Sequence, residues 1–162
     1  VTHTGLFTSL SNEWATPQEF FDKLDTEFHF NLDPCATSKN AKCSRYFTQA
    51  DDGLARDWDG SRVFVNPPYG HEISKWVRKS WEESQRGCLV VMLIPARTDT
   101  RYWHDYVMKA DEIRFIRGRL YFNVGERTGR APFPSAVVVF RPFGSATVPI
   151  VSTFLIERRR KP

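Results

Sequence analysis

The chain has 162 residues, of which 41% are hydrophobic, 26% charged and 14% aromatic, with a formal net charge of +4. That length suits one domain with a real core and is too short for two comfortable ones, and the composition is ordinary for a soluble globule. No apolar run is long enough to span a bilayer and no signal-peptide pattern opens the chain, which leads us to expect a cytoplasmic protein without membrane contact.

Thr16-Pro17-Gln18-Glu19 reads as a helix start, with Thr16 as N-cap, Pro17 in the first turn and Glu19 three residues after the cap. Phe21, Leu24 and Phe28 follow at helical spacing, so a helix over about 17–28 is expected. Residues 30–33 read as a short strand ended by Pro34, residues 35–43 as a short helix or turn, and residues 62–65 as a second strand. Ile73, Trp76, Val77 and Trp81 repeat at helical spacing after Gly70, and Gly87 stops that helix before an unbroken apolar run, residues 88–94, of the kind buried in a parallel sheet. Trp103, Tyr106, Val107 and Ala110 mark a further helix and residues 112–116 a further strand. Residues 119–122 and 136–140 read as two strands of an antiparallel extension, separated by a polar loop at 123–135 rich in Gly and Pro.

Strands alternating with helices imply an α/β fold, a mostly parallel sheet with helices on both faces, in a single domain spanning residues 1–162. Ligands of such sheets gather at the carboxyl ends of the strands. Asp33-Pro34, Asn66-Pro67-Pro68 and Pro95-Ala96-Arg97 all fall at such exits. Cys35, Cys43 and Cys88 fit neither an even disulfide set nor a zinc spacing, so free thiols and no metal are expected.

Asn66-Pro67-Pro68-Tyr69 carries the chemistry. The lone pair of a planar amino nitrogen is delocalised, and it attacks an electrophile only if acceptors draw its hydrogens toward tetrahedral geometry. The Asn66 side-chain oxygen and the Pro67 carbonyl are two such acceptors. Neither proline has an N–H, so the turn cannot continue a ladder, and Tyr69 offers a ring on which a flat base can stack. Arg114, Arg117, Arg119, Arg127 and Arg130 face Glu126 alone, and the chain ends in the basic run 158–161, which together suit a polyanion.

These residues resemble the amino-group methyltransferases that use S-adenosylmethionine and, within them, the phage-type DNA N6-adenine methyltransferases, a Dam-like family. The likeness runs from Trp14-Ala15-Thr16-Pro17 through Leu32-Asp33-Pro34-Cys35-Ala36, Asn40-Ala41-Lys42-Cys43, Tyr46-Phe47-Thr48, Asp52-Gly53-Leu54 and the Asn66 motif to residues 93–97 and 118–122. It implies a Rossmann-like methyltransferase sheet with one antiparallel strand near the C-terminus, and host-cell cytosol as location if the gene is a phage's. It implies that Asn66, Pro67, Pro68 and Tyr69 are catalytic, and that Trp14, Thr16 and Pro17 cover the methionine end of S-adenosylmethionine. Asp33 matches the acidic residue that ends the first strand, a carboxylate able to attract an ammonium or sulfonium. The glycine-rich turn usual at that point is absent, and Pro34, Cys35 and Ala36 stand in for it, the small Cys35 and Ala36 allowing close approach. Asp51 or Asp52 is expected to bond the ribose, Asp52 being the candidate cofactor ligand, while Phe47 and Trp58 are candidate walls.

The implied partner is duplex DNA with its target adenine flipped between Tyr69 and the cofactor. Arg97, Arg119, Arg127 and Arg130 are the candidate DNA contacts, the last two in the 123–135 loop. The same acceptors suit an RNA base or a protein glutamine amide, and aromatics interleaved with arginines suit a non-catalytic single-strand binder. Oligomeric state stays open.

Overall fold

Phe20, Phe21, Leu24 and Phe28 recur every three to four residues and are the buried stripe of helix α1 (Gln18–Phe28). Each such side chain contributes roughly 1.5–3 kcal/mol on leaving water, which fixes the helix against the sheet more firmly than its own caps do. The computed structural model describes residues 14–124, 127–145 and 147–156, without the side chains of residues 124, 127 and 128; Glu126 and the basic run 158–161 lie outside the described residues.

Strand β1 (Arg62–Val65) leads through the Asn66 turn into helix α2 (Ile73–Gln85), which returns to strand β2 (Leu89–Pro95). β2 pairs parallel with β1, Val63 beside Val90 and Val65 beside Met92, which completes the expected βαβ unit. A short helix α3 (Arg101–Asp105) and a 3-10 turn (Val107–Lys109) connect to strand β3 (Glu112–Arg117). After a hairpin of β4 (Tyr121–Val124) and β5 (Arg127–Arg130), strands β6 (Ser135–Phe140) and β7 (Ile150–Leu155) finish the fold. The main sheet runs β1-β2-β6-β3-β7. β6 is antiparallel to both of its neighbours, whereas β3 and β7 pair parallel, so the one strand of opposite sense lies near the end of the chain, as expected.

Alternation along β1 and β2 divides the core in two. Val63, Val65, Val90, Met92 and Ile94 face Trp76 and Val77 of α2 together with Trp103 and Val107. Phe64, Val91 and Leu93 face α1. Covering both faces explains the unbroken apolar run of β2.

Four expectations need correction. Residues 119–122 and 136–140 do not pair with each other: Tyr121–Val124 joins Arg127–Arg130 in its own hairpin, while β6 lies between β2 and β3. All six residues of β6 are buried, and a strand buried on both faces needs two neighbours rather than an edge. Within the expected 123–135 loop, residues 123–124 and 127–130 are instead paired strands of that hairpin. Residues 30–33 form only single bridges, Leu32 to Val63 and Asp33 to Tyr46, because Pro34 has no N–H with which to extend the ladder. Thr16 does not cap α1: Pro17 occupies the N-cap without a side-chain capping bond, and the Thr16 hydroxyl is engaged elsewhere. β7 was not anticipated. No described helix is long and apolar enough to cross a membrane.

Candidate active site

β1 ends where Pro67 and Pro68 remove two N–H groups in succession, and Asn66 is left at the carboxyl edge of the sheet, half-buried. Its amide nitrogen donates to the Trp14 carbonyl at 2.5 Å and to the Thr16 hydroxyl at 2.9 Å. Two acceptors on one side of the amide assign its NH2 to that side, so Oδ1 points the other way. There it accepts the Tyr69 hydroxyl at 2.9 Å, which leaves one lone pair for a ligand. The Cys35 thiol donates to the Asn66 backbone carbonyl at 3.2 Å. Burial and the nearby Asp33 charge push that thiol well up, so it stays a donor. Among the described residues no hydrogen bond reaches the Pro67 carbonyl.

Tyr69 departs from its expected part. Its ring is 5% exposed and packs edge-on against Phe133 and Phe122, with centroids 5.4 and 6.3 Å away, so neither face is open to a base. Burial raises the phenol, which keeps its proton on the bond to Asn66. Sequence spacing identified the residue but not its rotamer, because aromatic neighbours distant in the chain decide that.

Beside Asn66 opens a cavity of about 420 Å³, within the roughly 300–1,000 Å³ typical of small-molecule sites. It is lined by ten residues named from the sequence: Trp14, Thr16, Asp33, Pro34, Cys35, Ala36, Asp52, Asn66, Pro67 and Pro68. Pro17, Phe47 and Tyr69 do not line it. Phe47 instead packs on the core and lies under the Arg45 guanidinium, while Trp58 is fully buried with its indole N–H on the Gly53 carbonyl. Leu54 and Trp76 are apolar walls, and helical periodicity placed Trp76 only on the buried face of its helix.

Asp33 is 5% exposed and accepts the Lys42 N–H at 3.0 Å and the Cys35 N–H at 3.4 Å. Burial outweighs those bonds and raises the carboxyl to about 6. Asp51 is occupied locally, accepting the Thr48 N–H and hydroxyl at 2.8 Å, whereas Asp52 faces the cavity from a left-handed turn with φ 54°. The close approach expected of Cys35 and Ala36 is supplied by Gly53: a Cβ there would lie 2.0 Å from the Pro34 carbonyl oxygen. That glycine has a tertiary role that no local spacing could have revealed.

The arginines divide. Arg97 and Arg130 are exposed, at the exit of β2 and the end of β5. Arg119 is half-buried, and its Nη1 has no hydrogen-bond partner among the described residues. Arg127 pairs by its backbone with Val124, and its side chain lies outside those described. Arg114 leaves the candidate basic face, since it is held by Glu27 and Glu112 at 2.7 Å. The hairpin meets the site through Ala15, which exchanges two 3.2 Å backbone bonds with Asn123, and through Trp14, whose ring packs on Phe122 and Phe133.

Residues 3–160 match the family model described as DNA N-6-adenine-methyltransferase (Dam). The DNA N-6-adenine-methyltransferase of Haemophilus phage HP1 is 31% identical over 135 residues, covering 80% of this chain and 78% of the relative. That of Escherichia phage T1 is 29% identical over 128 residues, 75% of this chain and 53% of the relative. A modification subunit of a type I restriction enzyme from Vibrio vulnificus aligns at 12% identity with a TM-score of 0.49, over 93% of this chain and 49% of that one.

Proposed function

Since the chain belongs to the Dam family of DNA N-6-adenine-methyltransferases and methylates the N6 amino group of adenine in DNA, we propose that its cavity holds S-adenosylmethionine beside the Asn66 corner. Family membership decides for adenine in DNA over the RNA, glutamine and binder alternatives. One observation carries the cavity reading: a buried carboxylate, Asp33, and an amide with its oxygen directed away from two fixed acceptors, Asn66, line the same cavity. The residues fit the group. Asp33 suits its ammonium or sulfonium, Asp52 its ribose hydroxyls, and Leu54 with Trp76 a flat adenine. When bound, it would supply an electrophilic methyl on a positively charged sulfur, for transfer to N6 with a neutral thioether as the leaving group.

The chain's own part is to bind, orient and exclude. The target adenine leaves the duplex stack at a cost of a few kcal/mol, offset by contacts in the pocket. Asn66 Oδ1 and the Pro67 carbonyl accept its two amino hydrogens, which localises the nitrogen lone pair toward the methyl group. The extra proton passes to solvent afterwards. Acceptors already fixed where positive charge develops need no reorganisation during the reaction. Tyr69 serves through its hydroxyl, which buttresses Oδ1. Residues 1–162 act as one methyltransferase domain, with the arm at 123–135 and with Arg97, Arg119, Arg127 and Arg130 toward DNA phosphates.

The test is Asn66→Ala. Removing one fixed acceptor should lower methyl transfer to unmethylated DNA on the order of 10²–10³-fold, while S-adenosylhomocysteine binds within about threefold of the parent. A variant that methylates near-normally rejects the acceptor role.

A further inference from the structure

An asparagine amide offers an acceptor on one side and a donor on the other, and rotation by half a turn exchanges them. In the reading above Asn66 works only with its oxygen toward the base, so whatever holds its nitrogen matters as much as the residue itself. Two groups hold it, the Trp14 carbonyl and the Thr16 hydroxyl, and both belong to one three-residue segment. Thr16 is 3% exposed, and its hydroxyl serves Asn66 rather than the helix start it precedes. Between them Ala15 is bonded in both directions to Asn123 of β4, and the Trp14 ring packs on Phe122 and Phe133.

We propose that residues 14–16 form a strap that positions the catalytic amide: Thr16 and the Trp14 carbonyl hold Asn66 in its accepting orientation, and the β4–β5 hairpin holds the strap. Thr16 is thus a positioning residue, acting through Asn66. The seating of the hairpin, the arm assigned to DNA, bears directly on whether the amide is correctly presented. The inference rests on the acceptor role of Asn66 and adds to it a route from the arm to the site.

The experiment compares Thr16→Val, Thr16→Ser and Ala15→Pro in single-turnover methylation of duplex DNA, with calorimetric S-adenosylhomocysteine binding and thermal melts alongside. Valine keeps the shape and removes the hydroxyl, so the transfer rate should fall about tenfold, well beyond any change in cofactor affinity. Serine restores the hydroxyl and should return the rate to within about threefold. Ala15→Pro deletes the N–H given to Asn123 and should slow transfer in the same way as valine. In an Asn66→Ala background, Thr16→Val should add no further loss, because the two act as a unit. Parallel losses of rate and cofactor affinity in Thr16→Val, or a parental rate, overturn the strap. A parental rate in Ala15→Pro alone overturns its hairpin half. Should Asn66→Ala itself stay active, the acceptor reading fails first; an inactive Asn66→Ala beside a parental Thr16→Val rejects the strap only.

Discussion

Among the described residues two carboxylates are buried, Glu83 on α2 and Asp33 beside β1, and they are satisfied in opposite ways. Glu83 is fully enclosed and receives Lys79 at 2.6 Å, Arg86 at 3.2 Å and the Trp58 N–H at 3.4 Å. Asp33 receives backbone N–H groups only, and the one ammonium near it, Lys42, is drawn instead to Gln18 at 2.9 Å. A carboxylate matched by cations inside the fold is spent on structure. One at the wall of a cavity whose nearest ammonium, Lys42, is hydrogen-bonded elsewhere is available to what the cavity binds. By that contrast Glu83 is a fold-holding charge, and Asp33 keeps a charge free for the ligand-binding part proposed for it.

Glu83→Gln strands the enclosed Lys79 ammonium beside a neutral amide and should destabilise the protein by about 3 kcal/mol, read from urea melts, with cofactor affinity of the folded fraction unchanged. Asp33→Asn should do the reverse, weakening S-adenosylmethionine binding by roughly 10–100-fold, the worth of a charged hydrogen bond, with a smaller change in the melt. If both substitutions cost stability alike and neither touches affinity, the distinction is void.

Titration sharpens the same contrast at lower amplitude. Burial, the largest influence on Asp33, lifts its carboxyl from the ordinary 3.8 to about 6. A carboxyl raised in the fold holds its proton more tightly there than in the unfolded chain. Its contribution to stability is therefore full below pH 3.8 and lost as pH rises through about 6. Binding runs the other way, because a cationic group needs the carboxylate. Affinity for S-adenosylmethionine should be level above about pH 7 and fall by up to about tenfold per unit below 6, a slope that Asp33→Asn removes. A pH-independent affinity in the parent protein would detach Asp33 from the ligand.

Much of the scaffold was legible because the burial pattern is local. The Phe stripe of α1, the Trp76 and Val77 face of α2 and the apolar run of β2 each repeat at the period of the element they form. The Asn66 corner was legible for another reason, since two prolines after a short apolar strand can only end it. What stayed hidden depends on neighbours distant in the chain. Thr16 with Glu19 spells a capping box, yet Asn66, fifty positions later, takes the hydroxyl. Trp76 serves core and cavity wall at once, and periodicity reports only the first. Gly53 is required by a carbonyl 2.0 Å from where its Cβ would be. β7 escaped because its exposed Ile150, Val151 and Leu155 have no alternation to read at a sheet edge.

The arginines repeat the carboxylate contrast in positive charge, and they supply the smallest effect. Arg114 lies over the Phe28 ring and is gripped by Glu27 through two 2.7 Å bonds, so it resembles Glu83: its charge is consumed inside the molecule. Arg130 is exposed at the end of β5, with no ion pair among the described residues, and resembles Asp33 in having a charge left for a partner. A side chain that neutralises one phosphate releases about one counterion, so Arg130→Ala should lower the slope of log affinity for duplex DNA against log salt by about 1. Arg114→Ala should leave that slope unchanged while lowering the melting temperature, because its partners are carboxylates of the same fold. Equal slopes in the parent protein and Arg130→Ala would remove this arginine from the DNA contacts. A reduced slope in Arg114→Ala would mean that an arginine paired in the free protein changes partners when DNA arrives, and the division between spent and available charge would no longer predict where DNA lies.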